Sequence, residues 1–221
     1  MTIDAEPLRD CPLCPRLVQF REDARTKQPG WFNSPVPSFG TPTARLLIVG
    51  LAPGLKGANR TGRPFTGDYA GDLLYPTLAE YGFANHAFAA RPDDGLQLYD
   101  ALITNAVRCV PPANKPLPVE ITTCRTFLLG TLDHLADLRA VVVLGRIAHE
   151  TFLRALGARL AAHPFGHGAR HDLHIAGREV ALFDSYHCSR YNTNTGVLTP
   201  EMFRAVFAAV RAHLDTARAN A

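Results

Sequence analysis

Four consecutive apolar residues, Leu46-Leu47-Ile48-Val49, stop at Gly50, and the chain from there to Asp68 is punctuated by glycine and proline every few positions. Such an apolar run, bounded by turn residues, predicts a strand buried on both faces. The residues after Gly50 can neither extend that strand nor open a regular helix, so a long loop is expected. Open α/β sheets bind ligands at the carboxyl ends of their strands, which is where this loop begins. The turn Gly50-Leu51-Ala52-Pro53-Gly54 would let the backbone approach a ligand closely, while Phe65 offers a flat apolar face and Asp68 an acid. A glycine-rich surface loop is the plainer reading of the same stretch.

The rest of the chain supplies partners for that strand. Residues 98–109 contain a second strand, Ala140-Val141-Val142-Val143-Leu144 a third, and Glu179-Val180-Ala181-Leu182-Phe183 a fourth. Between them lie helical patterns over roughly 69–81 (with Pro76 inside), 119–134 (opened by Pro118), after Gly145 (Ile147, Phe152, Leu156) and from Thr199-Pro200-Glu201 onward. The final helix carries Phe203, Val206, Phe207, Val210 and Leu214 on one face. Strands alternating with helices, with no hairpin dipeptide between them, predict a three-layer α/β/α sandwich around a central four-stranded, mainly parallel sheet. All 221 residues would form one domain, with 1–42 a wrapped N-terminal segment. The proline-rich run 110–118 should be a stiff loop, placing Asn114 on it and Asn105 at a strand end.

Charge and cysteine usage narrow the function classes. No apolar run approaches the roughly 18 residues of a membrane span, and the acidic start 1–6 lacks the apolar core of a secretory leader. A formal charge of +3 permits a polyanionic partner only if basic residues cluster. The five cysteines stand at 11, 14, 109, 124 and 188. Their odd number favours reduced thiols and a cytoplasmic setting. Cys11, Cys14, Cys109 and Cys124 could bind zinc or an iron–sulfur cluster, and the first pair could be a redox dithiol. Flanking prolines and the lack of a second C-x2-C favour iron–sulfur; Cys188 is expected to be a buried apolar filler.

A second chemically dense loop comes after the fourth strand: Asp184-Ser185-Tyr186-His187-Cys188-Ser189-Arg190-Tyr191-Asn192, then Thr195-Gly196. A histidine just past a strand end can serve a developing anion or act as acid or base, although a structural histidine is the commoner case. Arg190 and Tyr191 suit a loop that meets phosphates or wedges into a groove.

Taken together, Gly50–Gly54, Thr61-Gly62-Arg63-Pro64-Phe65-Thr66-Gly67-Asp68, Ala106–Pro112, Ser185–Arg190 and the cysteine spacing resemble the family-5, or type B, uracil-DNA glycosylases over nearly the whole chain. The resemblance implies a [4Fe–4S] cluster on Cys11, Cys14, Cys109 and Cys124, structural in role. It implies hydrolytic excision of uracil, with other deaminated or damaged bases, from DNA; a monomer would suit an enzyme that wraps one lesion. By resemblance Phe65 stacks on the flipped base, Asn105 reads its edge, and the Gly50–Gly54 turn with His187 stabilises the departing base anion. Asp68 orients water or stabilises the cationic sugar; Asn114 and Asn192 are further candidates for that positioning. Arg190 and Tyr191 belong to the DNA-inserting loop. A non-turnover member that traps uracil-containing DNA, and an iron–sulfur redox or scaffold protein, are the readings from other classes.

Overall fold

The computed structural model describes residues 5–219; residues 1–4, where the acidic start begins, and 220–221 lie outside the described residues. Among the described residues six strands form one sheet: β1 (Phe39–Gly40), β2 (Leu46–Gly50), β3 (Ala101–Asn105), β4 (Ala140–Leu144), β5 (Arg170–Ile175) and β6 (Arg178–Ser185). Their order is β1-β3-β2-β4-β6-β5. The inner four, β3-β2-β4-β6, are parallel and are the four the sequence predicts. The expected four-stranded sheet is therefore corrected to six, with β1 and β5 antiparallel at the edges.

Both additional strands have a physical reason to escape a pattern search. β1 is two residues long. β5 is a half-exposed edge strand rich in charge and histidine, so it carries no apolar run. It joins β6 through Ala176-Gly177, both with positive φ (47° and 81°), as the favoured two-residue hairpin turns require. Alanine is an unusual occupant of such a turn, and no hairpin dipeptide announces it.

Seven helices complete the fold: α1 (Pro15–Lys27), α2 (Ala58–Thr61), α3 (Tyr69–Glu80), α4 (Pro118–His134), α5 (Arg146–Ala155), α6 (Arg190–Asn194) and α7 (Pro200–Ala219) among the described residues. Successive strand side chains point to opposite faces. Leu46, Ile48, Ile103, Val142 and Phe183 accordingly meet Leu74 and Leu78 of α3 and Phe203 and Phe207 of α7. Leu47, Val49, Leu102, Val141 and Val143 meet Leu128 and Leu132 of α4 and Phe152 and Leu153 of α5. Each such side chain contributes roughly 1.5–3 kcal/mol on burial, which explains why the two faces are so fully covered. Pro76 is tolerated in α3 because it lies on the exposed side, where the carbonyl it frees can meet water. Ile147 lies exposed at the start of α5, unlike Phe152.

The N-terminal segment is tied down by buried or bidentate cations. Arg108 is fully buried and donates to Glu6, Ser38, Thr131 and the Ala5 carbonyl. Arg16 of α1 forks onto Glu120 of α4 (2.8 and 2.7 Å), and Glu120 also caps α4 through the Leu117 N–H. No helix among the described residues is long and apolar enough to cross a membrane.

Candidate active site and cysteine cavity

The carboxyl ends of β2, β3 and β6 open into one cleft of about 680 Å³. Leu51, Ala52, Pro53 and Gly54 line it from the first loop, with Phe65, Asp68, Asn105, Asn114, His187 and Arg190. Gly50, expected to bind substrate, is buried behind that lining and is paired in register with Asn105. A Cβ on Gly50 would stand 2.7 Å from the Phe65 ring and would collide with the Asn105 side-chain oxygen. The absent side chain is what lets Phe65 and Asn105 meet over the strand end. Asn105 is buried and lines the cleft, and its side-chain amide makes no hydrogen bond to another side chain or to backbone among the described residues.

Asp68 occupies the N-cap position of α3 but makes no well-formed capping bond, and its Oδ1 is buried without a partner. Burial pushes its carboxyl above the ordinary range, while the nearby Ala70 and Gly71 N–H groups pull it back in part. The carboxylate fits into a bay left by two glycines. A Cβ on Gly54 would come 3.3 Å from Oδ2, and one on Gly57 would overlap that oxygen and stand 2.8 Å from Cγ.

His187 faces Phe65 with ring centroids 6.1 Å apart. Burial lowers its pKa, so the ring is neutral at pH 7 and holds one N–H to donate. The loop carrying it is fixed from below, since the Asn192 amide donates to the His187 carbonyl at 2.8 Å. Asn192 thus stands behind the cleft wall and not on it. The Tyr186 N–H donates to His167 Nδ1, a second support under the same loop. The Arg190 guanidinium lies 5.3 Å from the Tyr69 ring centroid across the cleft mouth, whereas Tyr191 is exposed outside the cleft.

The sequence patterns do not single out several cleft residues: Lys56, Tyr69 and the bay glycine Gly57. A lone lysine within a glycine-rich loop is the available signal for Lys56. Nothing in the sequence marks Gly57, because its importance comes from a carboxylate eleven residues further on.

Behind the cleft, Cys11, Cys14, Cys109 and Cys124 line one enclosed apolar space with Leu17, Arg21, Val107 and Phe127. None is in a disulfide. Burial raises the Cys14 thiol and pushes Cys109 up to about 12 and Cys124 up to about 11. The Arg108 N–H donates to Cys124 Sγ at 3.3 Å, and Arg21 Nη1 reaches Cys109 Sγ at 3.9 Å. Among the described residues no three His, Cys, Asp or Glu side chains converge closely enough to hold a single ion. Cys188 lies apart, fully buried in the core beneath the cleft.

A mostly parallel α/β/α sandwich thus gathers an acid, a neutral histidine, an amide and an aromatic face at the carboxyl edge of its sheet, a set of groups suited to holding a flat polar ring. Residues 37–211 match the uracil DNA glycosylase superfamily. The chain is 49% identical over 207 residues to a type-5 uracil-DNA glycosylase of Thermus thermophilus, covering 91% of this chain and 92% of that protein. It is 44% identical to a type-5 uracil-DNA glycosylase of Mycobacterium tuberculosis (89% and 75% covered) and 29% identical to a type-4 enzyme of Sulfurisphaera tokodaii (91% and 80%). The chain belongs to the uracil-DNA glycosylase superfamily, in its type-5 group.

Proposed function

We propose that this chain excises uracil from DNA, and hypoxanthine and other deaminated bases with it, by hydrolysing the bond between base and deoxyribose. The observation that carries the proposal is the convergence of Phe65, the unpartnered Asn105 amide, neutral His187 and the half-buried Asp68 carboxylate on one cleft. A target base must leave the helical stack to enter it, at a cost of a few kcal/mol that is smallest at a mispair. Phe65 then covers one face of the base, and Asn105 bonds its Watson–Crick edge.

Cleavage of the glycosidic bond sends its electron pair onto the base and leaves positive charge on the sugar. The His187 N–H and the backbone N–H groups of the Gly50–Gly54 turn meet the developing base anion. Ionised Asp68 stabilises the cationic sugar and orients the water whose oxygen bonds to C1′; it takes the proton that this water gives up, which passes on to the base anion. Free base and an abasic site result. Asn114 at the cleft rim helps place that water, and Asn192 acts through the His187 loop. Arg190 and Tyr191, on the exposed side, engage the DNA.

The four thiols suit a [4Fe–4S] cluster better than one zinc ion, because they surround a common space without converging on one point, and two of them, Cys109 and Cys124, already receive N–H donors. Cys11, Cys14, Cys109 and Cys124 would hold it, and it would clamp segment 1–42 and the 109–124 loop to the sheet as one domain. One chain supplies the whole cleft, which supports a monomer, acting on DNA in the cytoplasm.

Duplexes carrying U·G or hypoxanthine·T test the substrate reading. Incubation followed by alkali should break the strand at either base. An unbroken U·G strand, with the protein folded and carrying iron and sulfide, would contradict it.

A further inference from the structure

Phe65 has φ of 51°, in the left-handed region that a bulky residue adopts only where its surroundings impose it. The neighbouring side chains show what imposes it. Arg63 forks onto Asp94, with Nη1 to Oδ1 at 2.8 Å and Nη2 to Oδ2 at 2.7 Å. The two side chains are only 6% and 1% exposed. Nη2 also donates to the Arg91 carbonyl, and Nε donates to Thr66 Oγ1 at 2.8 Å. Thr66 Oγ1 in turn donates to the Pro64 carbonyl. Both residues flanking Phe65 are therefore tied, through one guanidinium, to Asp94.

The clamp has a second side. Asp94 accepts from the Ala89 and Leu96 N–H groups, so it also organises the irregular loop 84–97. The rings of Phe39, Tyr75 and Phe88 surround the guanidinium at 5.2, 5.6 and 6.0 Å, which keeps water from competing. Across the loop, Gly71 of α3 presses so closely on the Phe65 carbonyl that a Cβ there would overlap it. Phe65 is thus held from both sides, by a glycine contact and by a desolvated ion pair. Removing one partner of such a pair leaves the other charge buried and uncompensated.

We propose that Arg63 and Asp94 are positioning residues for the Phe65 face, so that loop 84–97, which contributes no residue to the cleft, sets how well a flipped base is gripped. The inference rests on the reading of Phe65 as the surface on which the base stacks. Asp94 lines no part of the cleft; its effect reaches Phe65 through Arg63, Thr66 and Pro64, and the Pro64 carbonyl is also held by the Tyr75 hydroxyl, whose ring packs against Arg63 and Phe88. The base of loop 84–97 is independently closed by Asn85, which bonds Gly95 and Gln97, so weakening Asp94 leaves the loop anchored.

The test compares wild type, Asp94→Asn and Thr66→Val, each as the full chain with its iron content verified. Two quantities are measured: single-turnover excision from a U·G duplex, and affinity for the same duplex with a tetrahydrofuran abasic site, which offers no base to stack. The expected result for Asp94→Asn is at least a tenfold higher half-saturating concentration for uracil-containing duplex, with abasic-site affinity within twofold of wild type. Thr66→Val, which removes one tie and keeps the ion pair, should shift the same way by less, and it decides the matter if Asp94→Asn does not fold. Arg45→Lys serves as control, because its pair with Asp100 lies at the opposite end of the sheet. It should lower Tm without moving either quantity. Equal loss of both affinities, or a fall in Tm alone, in an active background would overturn the positioning role. A wild type that excises nothing would overturn the stacking reading on which the role rests.

Discussion

At the scale of single residues, the cleft is set by what is missing as much as by what is present. Gly50 admits Phe65 and Asn105, and Gly57 admits the Asp68 carboxylate. Gly57→Ala should therefore displace Asp68 and reduce the excision rate by about 100-fold, the usual consequence of moving a reacting group by about 1 Å. Affinity for abasic duplex should be kept; an unchanged rate in single-turnover assays would show that Asp68 does not need its bay. Asp68 also carries a stability signature. Its folded pKa is raised by burial, so ionising it destabilises the fold. That penalty is absent at low pH, grows as pH rises through the interval between the unfolded and folded values, and is complete above the folded value. Asp68→Asn should accordingly raise Tm at pH 7, with the gain vanishing in acid; thermal melts at the two pH values check this. Phe65, Asp68 and His187 are legible in the sequence because each stands in a dense loop just beyond an apolar run. Gly57 and Asp94 are not, because their contacts are made only once distant loops have folded together.

At the scale of elements, the inner strands are legible for a simple reason. β2, β4, the middle of β6 and the first three residues of β3 are buried on both faces and so are apolar without interruption, while β3 ends on the buried polar pair Thr104 and Asn105. β5 is hidden by its exposed, charged outer face and by a turn whose positive φ falls on alanine. The His187 loop is held by two side chains, Asn192 and His167. Asn192→Ala removes the bond to the His187 carbonyl and should slow excision about tenfold, the value of one hydrogen bond at roughly 1–1.5 kcal/mol. Preserved melting temperature with that slower rate would mark Asn192 as a support for His187, and an unaffected rate would dismiss it. α7, by contrast, is a packing element. Phe207→Ala should cost about 3–5 kcal/mol in urea unfolding.

At the scale of the molecule, the formal charge of +3 is small, and an oxidised cluster on four thiolates would lower it. Attraction to DNA must then come from exposed cations around the cleft, among them Lys56, Lys115 and Arg190. Lys56→Ala should reduce the slope of log affinity against log salt by about one if it meets a phosphate. The proposed cluster would link the same molecule's stability to iron: Cys109→Ser should then lose iron and sulfide together and lower Tm, while Cys188→Ser should keep both. The central claim, that one cleft cleaves the glycosidic bond with ionised Asp68 as its carboxylate, is tested most directly by single-turnover uracil excision from a U·G duplex. Wild type and Asp68→Asn are compared at matched, saturating binding. The account predicts rapid excision by wild type and a loss of about 100-fold or more in the variant, with duplex affinity retained. Equal rates for the two proteins would contradict it.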